Sequence, residues 1–467
     1  MIRDPRIRRP VAIFVIAWLS LLSAGTRADE RSERIDAILD RCYPADGPGA
    51  AVIAVRGGEV VYRGARGMAD LENGLPLTPE SVFRLGSITK QFTAAAILLL
   101  VERGELSLSD RLTEFLPDYP VHDPQITIEH LLTHTSGIFN YTDIPGYIRE
   151  GVRLDVTVGE LIDGFKDQPP KFAPGERFSY SNSGYVLLGA IIETVSGQSY
   201  EEFIRRNVFE PLGMKHSYYG SHTRLIPRRA RGYDGSPGEW SNADFISMTH
   251  PHGAGGLLST VDDLAIWDAA LYTDRLLRPE SVRKMMRGFT LNDGSGSPYG
   301  LGFGIGSVRG RSAVFHGGGI HGFTTYATRL PDERIYVAVL TNTPGLPAEP
   351  GYVANRIAAL VAGDPFREFR RISLSPAVLG GYVGVYRIDE TTEWIVTLDG
   401  TRLYTQRTGG QRTPAFPHSK TGFFHENSFA HFELVEDGSG QVVEMLMYAD
   451  GGDEPERAKR VRETPPH

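Results

Sequence analysis

From Ala94 to Val101 the chain reads Ala-Ala-Ala-Ile-Leu-Leu-Leu-Val, eight residues without a polar side chain. Ala and Leu are strong helix formers, and Gly104 stands where a helix C-cap belongs. The spacing predicts a helix over 87–103. A helix that is apolar on every side has no face to give to water, so the fold must wrap other elements around it. A chain of 467 residues, 41% apolar and 23% charged, can supply that core and a second domain besides.

The first turn of this helix carries chemistry. Phe83 to Lys90 reads F-R-L-G-S-I-T-K. Residues i and i+3 share a helix face, so Lys90 comes close to the Ser87 hydroxyl. A serine hydroxyl is a weak nucleophile until a base takes its proton. A lysine serves as that base when burial disfavours its charged form. Free N–H groups at the helix start can also stabilise an oxyanion. The spacing alone does not decide, because an N-cap serine followed by a surface lysine has the same pattern. Ser281 to Lys284 repeats it among Arg278, Arg283 and Arg287, where an ordinary exposed helix start is expected.

Two further segments add to it. Phe178 to Asn182 reads F-S-Y-S-N and holds the one Tyr-x-Asn of the chain. Tyr180 offers a phenol that can move protons, and Asn182 an amide that can hold a substrate carbonyl or the lysine. A loop-forming turn with a core tyrosine is the other reading. Val314 to Phe323 reads V-F-H-G-G-G-I-H-G-F. Glycines after His316 let the backbone approach a ligand and present an N–H to an oxyanion. A glycine-rich bulge with a structural histidine is the alternative.

Ser-x-x-Lys, Tyr-x-Asn and a basic residue-x-Gly, in that order, resemble the serine β-lactamases and penicillin-binding proteins. The chain is most similar in kind to the class C β-lactamase group, with its carboxypeptidase, D-aminopeptidase and esterase relatives. Ile126 to Ile138, Gly255 to Trp267 and Tyr299 to Gly304 share the resemblance, which spans about residues 32 to 362. It implies an α+β fold: an antiparallel sheet flanked by helices, plus a mostly helical subdomain. It implies Ser87 as the acylated nucleophile and Lys90 and Tyr180 as proton carriers. Asn182 would hold the substrate, and His316 would stand where many relatives have lysine. Gly318 completes that motif, and the N–H groups of Ser87 and Gly319 would form the oxyanion hole. A histidine is less reliably cationic than lysine, so carboxylate recognition should be weaker and pH-dependent. The histidine form therefore favours D-peptidase, carboxypeptidase or esterase activity over efficient β-lactam hydrolysis. The expected function is an acyl-enzyme hydrolase of D-amino-acid peptides, small esters or β-lactams. The alternative is a penicillin-binding sensor that acylates and turns over slowly. No cofactor or metal is implied.

The remaining pattern is consistent with this fold. Ser32 to Cys42 reads as an amphipathic helix with Ile35, Ile38 and Leu39 on one face. Ala50 to Val55 and Val60 to Arg63 form a hairpin around Gly57-Gly58. Asp262 to Leu271 and Tyr352 to Val361 read as helices, and Thr324 to Leu330 and Arg334 to Leu340 as strands around Pro331-Asp332. Strands from both ends can pair into one antiparallel sheet with the terminal helices over one face. Residues 29–365 make up this domain, and 366–376 read as a linker. Residues 377–467 show short strands at Tyr382 to Tyr386, Trp394 to Leu398, Phe429 to Leu434 and Val442 to Tyr448, a small barrel or sandwich. This module resembles the lipocalin-like domains appended to some family members, with Trp394, Phe423 and Phe424 as candidate core.

Residues 1–28 read as a signal peptide: Arg3, Arg6, Arg8 and Arg9, an apolar run from Val11 to Leu22, then Thr26-Arg27-Ala28. A periplasmic or secreted protein is expected, with membrane contact only if that segment stays uncleaved. The chain carries a net charge of −8, and residues 1–28 contribute +4, so the remainder carries −12. Nucleic acid is a poor partner for such a surface; a small-molecule or peptide substrate is the expected one. Cys42 is the single cysteine, so no internal disulfide can form, and it reads as a small buried hydrophobe. His130 and His134 have zinc-helix spacing but lack a third ligand. Asn140 and Tyr141 are candidates for the cleft lining or for loop packing. Lys420-Thr421-Gly422 repeats a lactamase motif in the C-terminal module, outside the domain that uses it.

Overall fold

A computed structural model describes residues 29–120 and 125–462. The expected signal segment lies outside the described residues. Among the described residues no helix is long and apolar enough to cross a membrane.

The first helix, α1, covers residues 29–42. Strands β1 (Ala50–Arg56) and β2 (Glu59–Arg66) follow as the expected hairpin, with Gly57 and Gly58 both at positive φ. The nearly all-apolar helix becomes α2 (Thr89–Glu102), with every residue from Thr89 to Leu100 buried. The expected start at Ser87 differs slightly. Gly86, at φ +53°, turns the chain, and Gly86–Ile88 forms one 3-10 turn before the α-helix begins. Helix α3 (Asn182–Ser196) packs against α2. Helix α4 (Val261–Ala270) is tied to α2 by Trp267 Nε1, which donates to Gln91 Oε1 at 2.9 Å.

Near the end of the domain come β3 (Gly304–Val308), β4 (Arg311–Ile320), β5 (Phe323–Leu330), β6 (Ile335–Thr341) and helix α5 (Pro350–Ala362). The six strands form one antiparallel sheet in the order β3-β4-β5-β6-β1-β2. Strands from the two ends of the domain thus pair, with Ala50 opposite Thr341 and Arg56 opposite Ile335. Side-chain alternation divides the core in two. Ala51, Ile53, Val55, Ala338 and Leu340 face the helical subdomain around α2. Ala50, Val52, Ala54, Val337 and Val339 face α1 and α5, where Cys42 is also buried. Each fully buried Leu or Ile contributes about 1.5–3 kcal/mol, so both layers are needed to hold the sheet between them.

The C-terminal module is a closed barrel of eight strands in sequence order: β7 (Gly384–Arg387), β8 (Glu393–Asp399), β9 (Arg402–Arg407), β10 (Thr413–Pro417), β11 (Gly422–Phe424), β12 (His431–Glu436), β13 (Val442–Tyr448) and β14 (Glu456–Arg462). Of the sequence alternatives, barrel or sandwich, the barrel forms because β14 pairs back onto β7. Phe423 fills the interior. Phe424, one residue on, points the other way and stacks on Phe369 of the connecting segment. Arg309, at the β3–β4 turn, donates to the Gly451 carbonyl at 2.7 Å and so docks the barrel onto the catalytic sheet.

Candidate active site

Ser87 sits in the 3-10 turn, and Lys90 points back over it. Lys90 Nζ is 3.0 Å from Ser87 Oγ, 2.8 Å from Asn182 Oδ1 and 2.8 Å from the Ala254 carbonyl. The amine is fully buried, and burial pushes it well below its ordinary value. A neutral amine has two N–H donors and one lone pair. Asn182 Oδ1 and the Ala254 carbonyl can only accept, so they take the two N–H groups. The lone pair is left for the one partner that can donate, the Ser87 hydroxyl. That is the geometry of a general base.

Asn182 opens α3, and its orientation is held from both sides. Its backbone N–H donates to Asn140 Oδ1 at 2.9 Å, and its Nδ2 donates to Thr142 Oγ1 at 3.2 Å. The second bond turns Oδ1 toward Lys90. Tyr180 lies on the other side of the lysine, whose Nζ is 4.8 Å from the ring centroid. Burial pushes the phenol up, with Ser87 beside it acting weakly the other way, so it is protonated and able to donate.

His134 supports Tyr180 from below, with ring centroids 4.2 Å apart, and its Nδ1 accepts the Ser181 N–H at 3.1 Å. The zinc-helix spacing of His130 and His134 does not survive folding. The helix spanning Ile128–Leu132 ends before His134, which sits in the left-handed region at φ +59°.

His316 is placed differently from the sequence expectation. Its Nδ1 faces the Gly317 carbonyl at 2.6 Å, and its Nε2 accepts from the Tyr299 hydroxyl at 2.7 Å. Both ring nitrogens are therefore engaged inside the protein. Burial first, and the nearby Lys90 second, hold the ring down to about 3. The expected pH-switchable cation facing substrate is corrected to a neutral structural histidine. The reason is strand alternation: on β4, His316 and Gly318 turn inward, and Gly319 turns outward.

Gly318 is a close-approach residue, since a Cβ there would lie 2.0 Å from the Leu85 carbonyl oxygen. Gly319 comes against the nucleophile turn, where a Cβ on Gly86 would lie 2.9 Å from Gly319 N. Gly86 is thereby required twice, for its positive φ and for this approach. Ser87 and Gly319 both line one cleft, where the sequence reading expects an oxyanion hole.

The cleft above Ser87 holds about 430 Å³. Ile148, Val152, Ile246, Ile320 and Phe323 give it apolar walls, and Tyr141, Thr142, Asn182 and His250 line it as well. Its charged lining residues are Asp234 and Asp244. Asn140, by contrast, packs the loop, donating to Thr142 and Asp143. The Ser281 and Lys284 repeat is a surface helix, with Ser281 bonded to Glu102 and Lys284 to Glu129. Lys420 pairs with Glu436 on the barrel.

Sequence reasoning missed the Ala254 carbonyl, the Thr142 hydroxyl and Tyr299. A backbone carbonyl leaves no residue signature, and only Tyr299 lay in a segment already singled out.

Comparison with known proteins agrees with this geometry. The beta-lactamase family model matches residues 39–362, and a model for a domain of unknown function (DUF3471) matches residues 370–460. A penicillin-binding protein of Bacillus subtilis (strain 168) is 31% identical over 431 residues, 86% of this chain and 93% of its own length. A D-aminopeptidase of Gluconobacter oxydans (strain 621H) is 30% identical over 362 residues, 76% of this chain and 67% of its own. The structure of an octameric penicillin-binding protein homologue from Pyrococcus abyssi superposes with a TM-score of 0.64 at 30% identity, covering 92% of this chain and 99% of that one. The Ser87–Lys90 geometry, the surrounding fold and these matches together make the chain a serine hydrolase that belongs to the beta-lactamase family.

Proposed function

We propose that the protein hydrolyses amides or short peptides of D-amino acids whose amino group is free. The charge of the cleft carries this reading. β-Lactams and carboxypeptidase substrates present a carboxylate beside the scissile bond and need a cation to meet it. Among the described residues lining this cleft there is no lysine or arginine, and His316 is neutral. Arg84, behind the wall, is committed to the His321 carbonyl at 3.3 Å and to the Phe323 ring. Asp234 and Asp244 instead favour an ammonium. Arg153, 3.3 Å from Asp244, is an exposed partner that solvent screens. The similarity to D-aminopeptidases supports the same substrate class.

In acylation, the Ser87 proton passes to Lys90 Nζ as Oγ attacks the carbonyl carbon. The Ser87 and Gly319 N–H groups receive the oxyanion. Tyr180 gives its proton to the departing nitrogen and regains one from the Lys90 ammonium. Water then attacks the ester carbon, its proton moves to Lys90, and Ser87 leaves with a proton restored.

The proposal includes export, supported by the basic and apolar pattern of residues 1–28. Cell fractionation with and without that segment tests it.

A substrate panel tests the activity: D-alanine p-nitroanilide, its N-acetyl derivative, the L-isomer and a chromogenic cephalosporin. The free-amino D-anilide should have the highest kcat/KM, with N-acetylation lowering it by about tenfold or more. Equal or faster turnover of the acetylated compound or the cephalosporin would overturn the reading.

A further inference from the structure

The third partner of Lys90, the Ala254 carbonyl, belongs to a four-residue helical turn, His252–Gly255. Two unfavourable features meet in its first residue. His252 sits at φ +39°, a region that non-glycine residues avoid. Its Nδ1 is also buried without a hydrogen-bond partner. Such features persist only where the surroundings over-determine them, and they concentrate at functional sites.

The surroundings of His252 do over-determine it. Its ring lies against Gly189 of α3, where an added Cβ would come within 2.4 Å of Nδ1 and 2.5 Å of Cε1. Its Nε2 is 3.6 Å from Glu193 Oε1, one turn further along α3. Burial acts to raise the Glu193 carboxyl, but the nearby His252 ring and the bond from the Tyr200 N–H outweigh it and hold the group below its ordinary value. The Tyr200 ring packs against that of His252 at a tilt of 40°, with centroids 5.1 Å apart. The next residue is fixed too, because Thr93 Oγ1 donates to the Gly253 carbonyl at 2.6 Å. These contacts aim the 254 carbonyl at Lys90.

We propose that His252 is a positioning residue for the Ser87–Lys90 pair. Wedged between Gly189, Glu193 and Tyr200, it holds the turn so that the Ala254 carbonyl occupies one N–H of Lys90. If that acceptor drifts away, the freed N–H turns to Ser87 Oγ as a donor. The lone pair then points elsewhere, and the serine loses its base. The effect reaches the chemistry only through Ala254 and Lys90, so it acts on nucleophile activation and leaves the substrate cleft intact.

This inference rests on Ser87 and Lys90 being the reacting pair and is independent of the substrate. The test therefore uses an alkyl fluorophosphonate probe. Ser87 Oγ attacks phosphorus, its proton passes to Lys90, fluoride leaves, and a stable phosphonyl ester forms. The second-order labelling rate is measured for wild type, His252→Ala, His252→Gln and Glu193→Gln, with thermal melting of each. His252→Ala should label roughly tenfold more slowly or worse. His252→Gln, which keeps a donor toward Glu193, should recover most of the rate. Glu193→Gln should fall between, and it reads the same link if His252→Ala does not fold. In turnover of a working substrate, the loss should appear in kcat with KM little changed. Labelling of His252→Ala or Glu193→Gln within about twofold of wild type would overturn the proposal. So would a His252→Gln variant as slow as His252→Ala at equal melting temperature. Failure of the D-anilide panel with these rate effects intact would refute only the substrate reading.

Discussion

The side-chain oxygen of Asn182 lies 2.8 Å from Lys90 Nζ, and the amide is held in that sense by its bond to Thr142. A neutral acceptor suits a neutral amine, and a charged one would not. Asn182→Asp would place a carboxylate against Lys90 and favour the ammonium form. Acylation by the variant should fall by about 10²–10³-fold near neutral pH. Activity should recover as pH rises through the higher Lys90 pKa. The kcat/KM profile against pH checks this; an unshifted ascending limb would refute it.

Removing the proton carriers should separate their roles. Ser87→Ala and Lys90→Ala should each reduce hydrolysis by about 10³-fold or more. Tyr180→Phe keeps the ring packed on His134 but removes the donor to the leaving group. It should slow amides by about 10²-fold and esters of good leaving groups much less. Comparing a p-nitroanilide with a p-nitrophenyl ester reads that difference, and equal losses on both would remove the leaving-group role.

Burial of His316 makes acid stability a readout of the site. Its folded value is held down to about 3, below the ordinary unfolded value near 6.5. Above the unfolded value both states are neutral, and the group contributes no pH dependence. As pH falls from there toward 3, only the unfolded chain takes the proton, so stability declines by up to about 1.4 kcal/mol per pH unit. His316→Gln removes that component, and His134, also held well down by burial, supplies a similar one that remains. Urea midpoints measured near neutrality and near pH 4.5 should show a shallower decline in the variant. Parallel declines would mean that the ring protonates in the folded state.

Neighbouring glycines of one strand should respond differently to the same substitution. A Cβ on Gly318 would meet the Leu85 oxygen at 2.0 Å and Thr325 Oγ1 at 2.3 Å, and one on Gly319 would meet nothing within 4 Å. Gly318→Ala should lose about 2–4 kcal/mol of stability. Gly319→Ala should change it by less than about 1 kcal/mol. Thermal melting of the two variants distinguishes them, and a Gly318→Ala protein as stable as wild type would refute the close approach.

The reach of sequence reasoning followed the distance over which each feature acts. Spacing of i and i+3 brings Lys90 over Ser87 in any helical turn, and that is where the structure has it. The unbroken apolar runs of β1 and β6 are buried on both faces of the sheet, and the terminal helices α1 and α5 cover one of them, as the sequence suggested. The barrel was legible only in part. Thr413–Pro417 and Gly422–Phe424 are short strands containing proline, glycine and aromatic residues, and their pairing depends on closure against distant neighbours.

By itself, then, the amino-acid order determined the buried helix, the closeness of Ser87 and Lys90 at its entry and the strand hairpins, because these follow from local geometry and from the exclusion of apolar surface from water. The tertiary structure decided what surrounds them. Only folding brings the Ala254 carbonyl and Asn182 Oδ1 onto the two N–H groups of Lys90 and so aims its lone pair. Only the inward face of β4 makes His316 a neutral, fully engaged ring. Charge state and orientation are set by burial and by partners far away in the chain, and no local pattern records them.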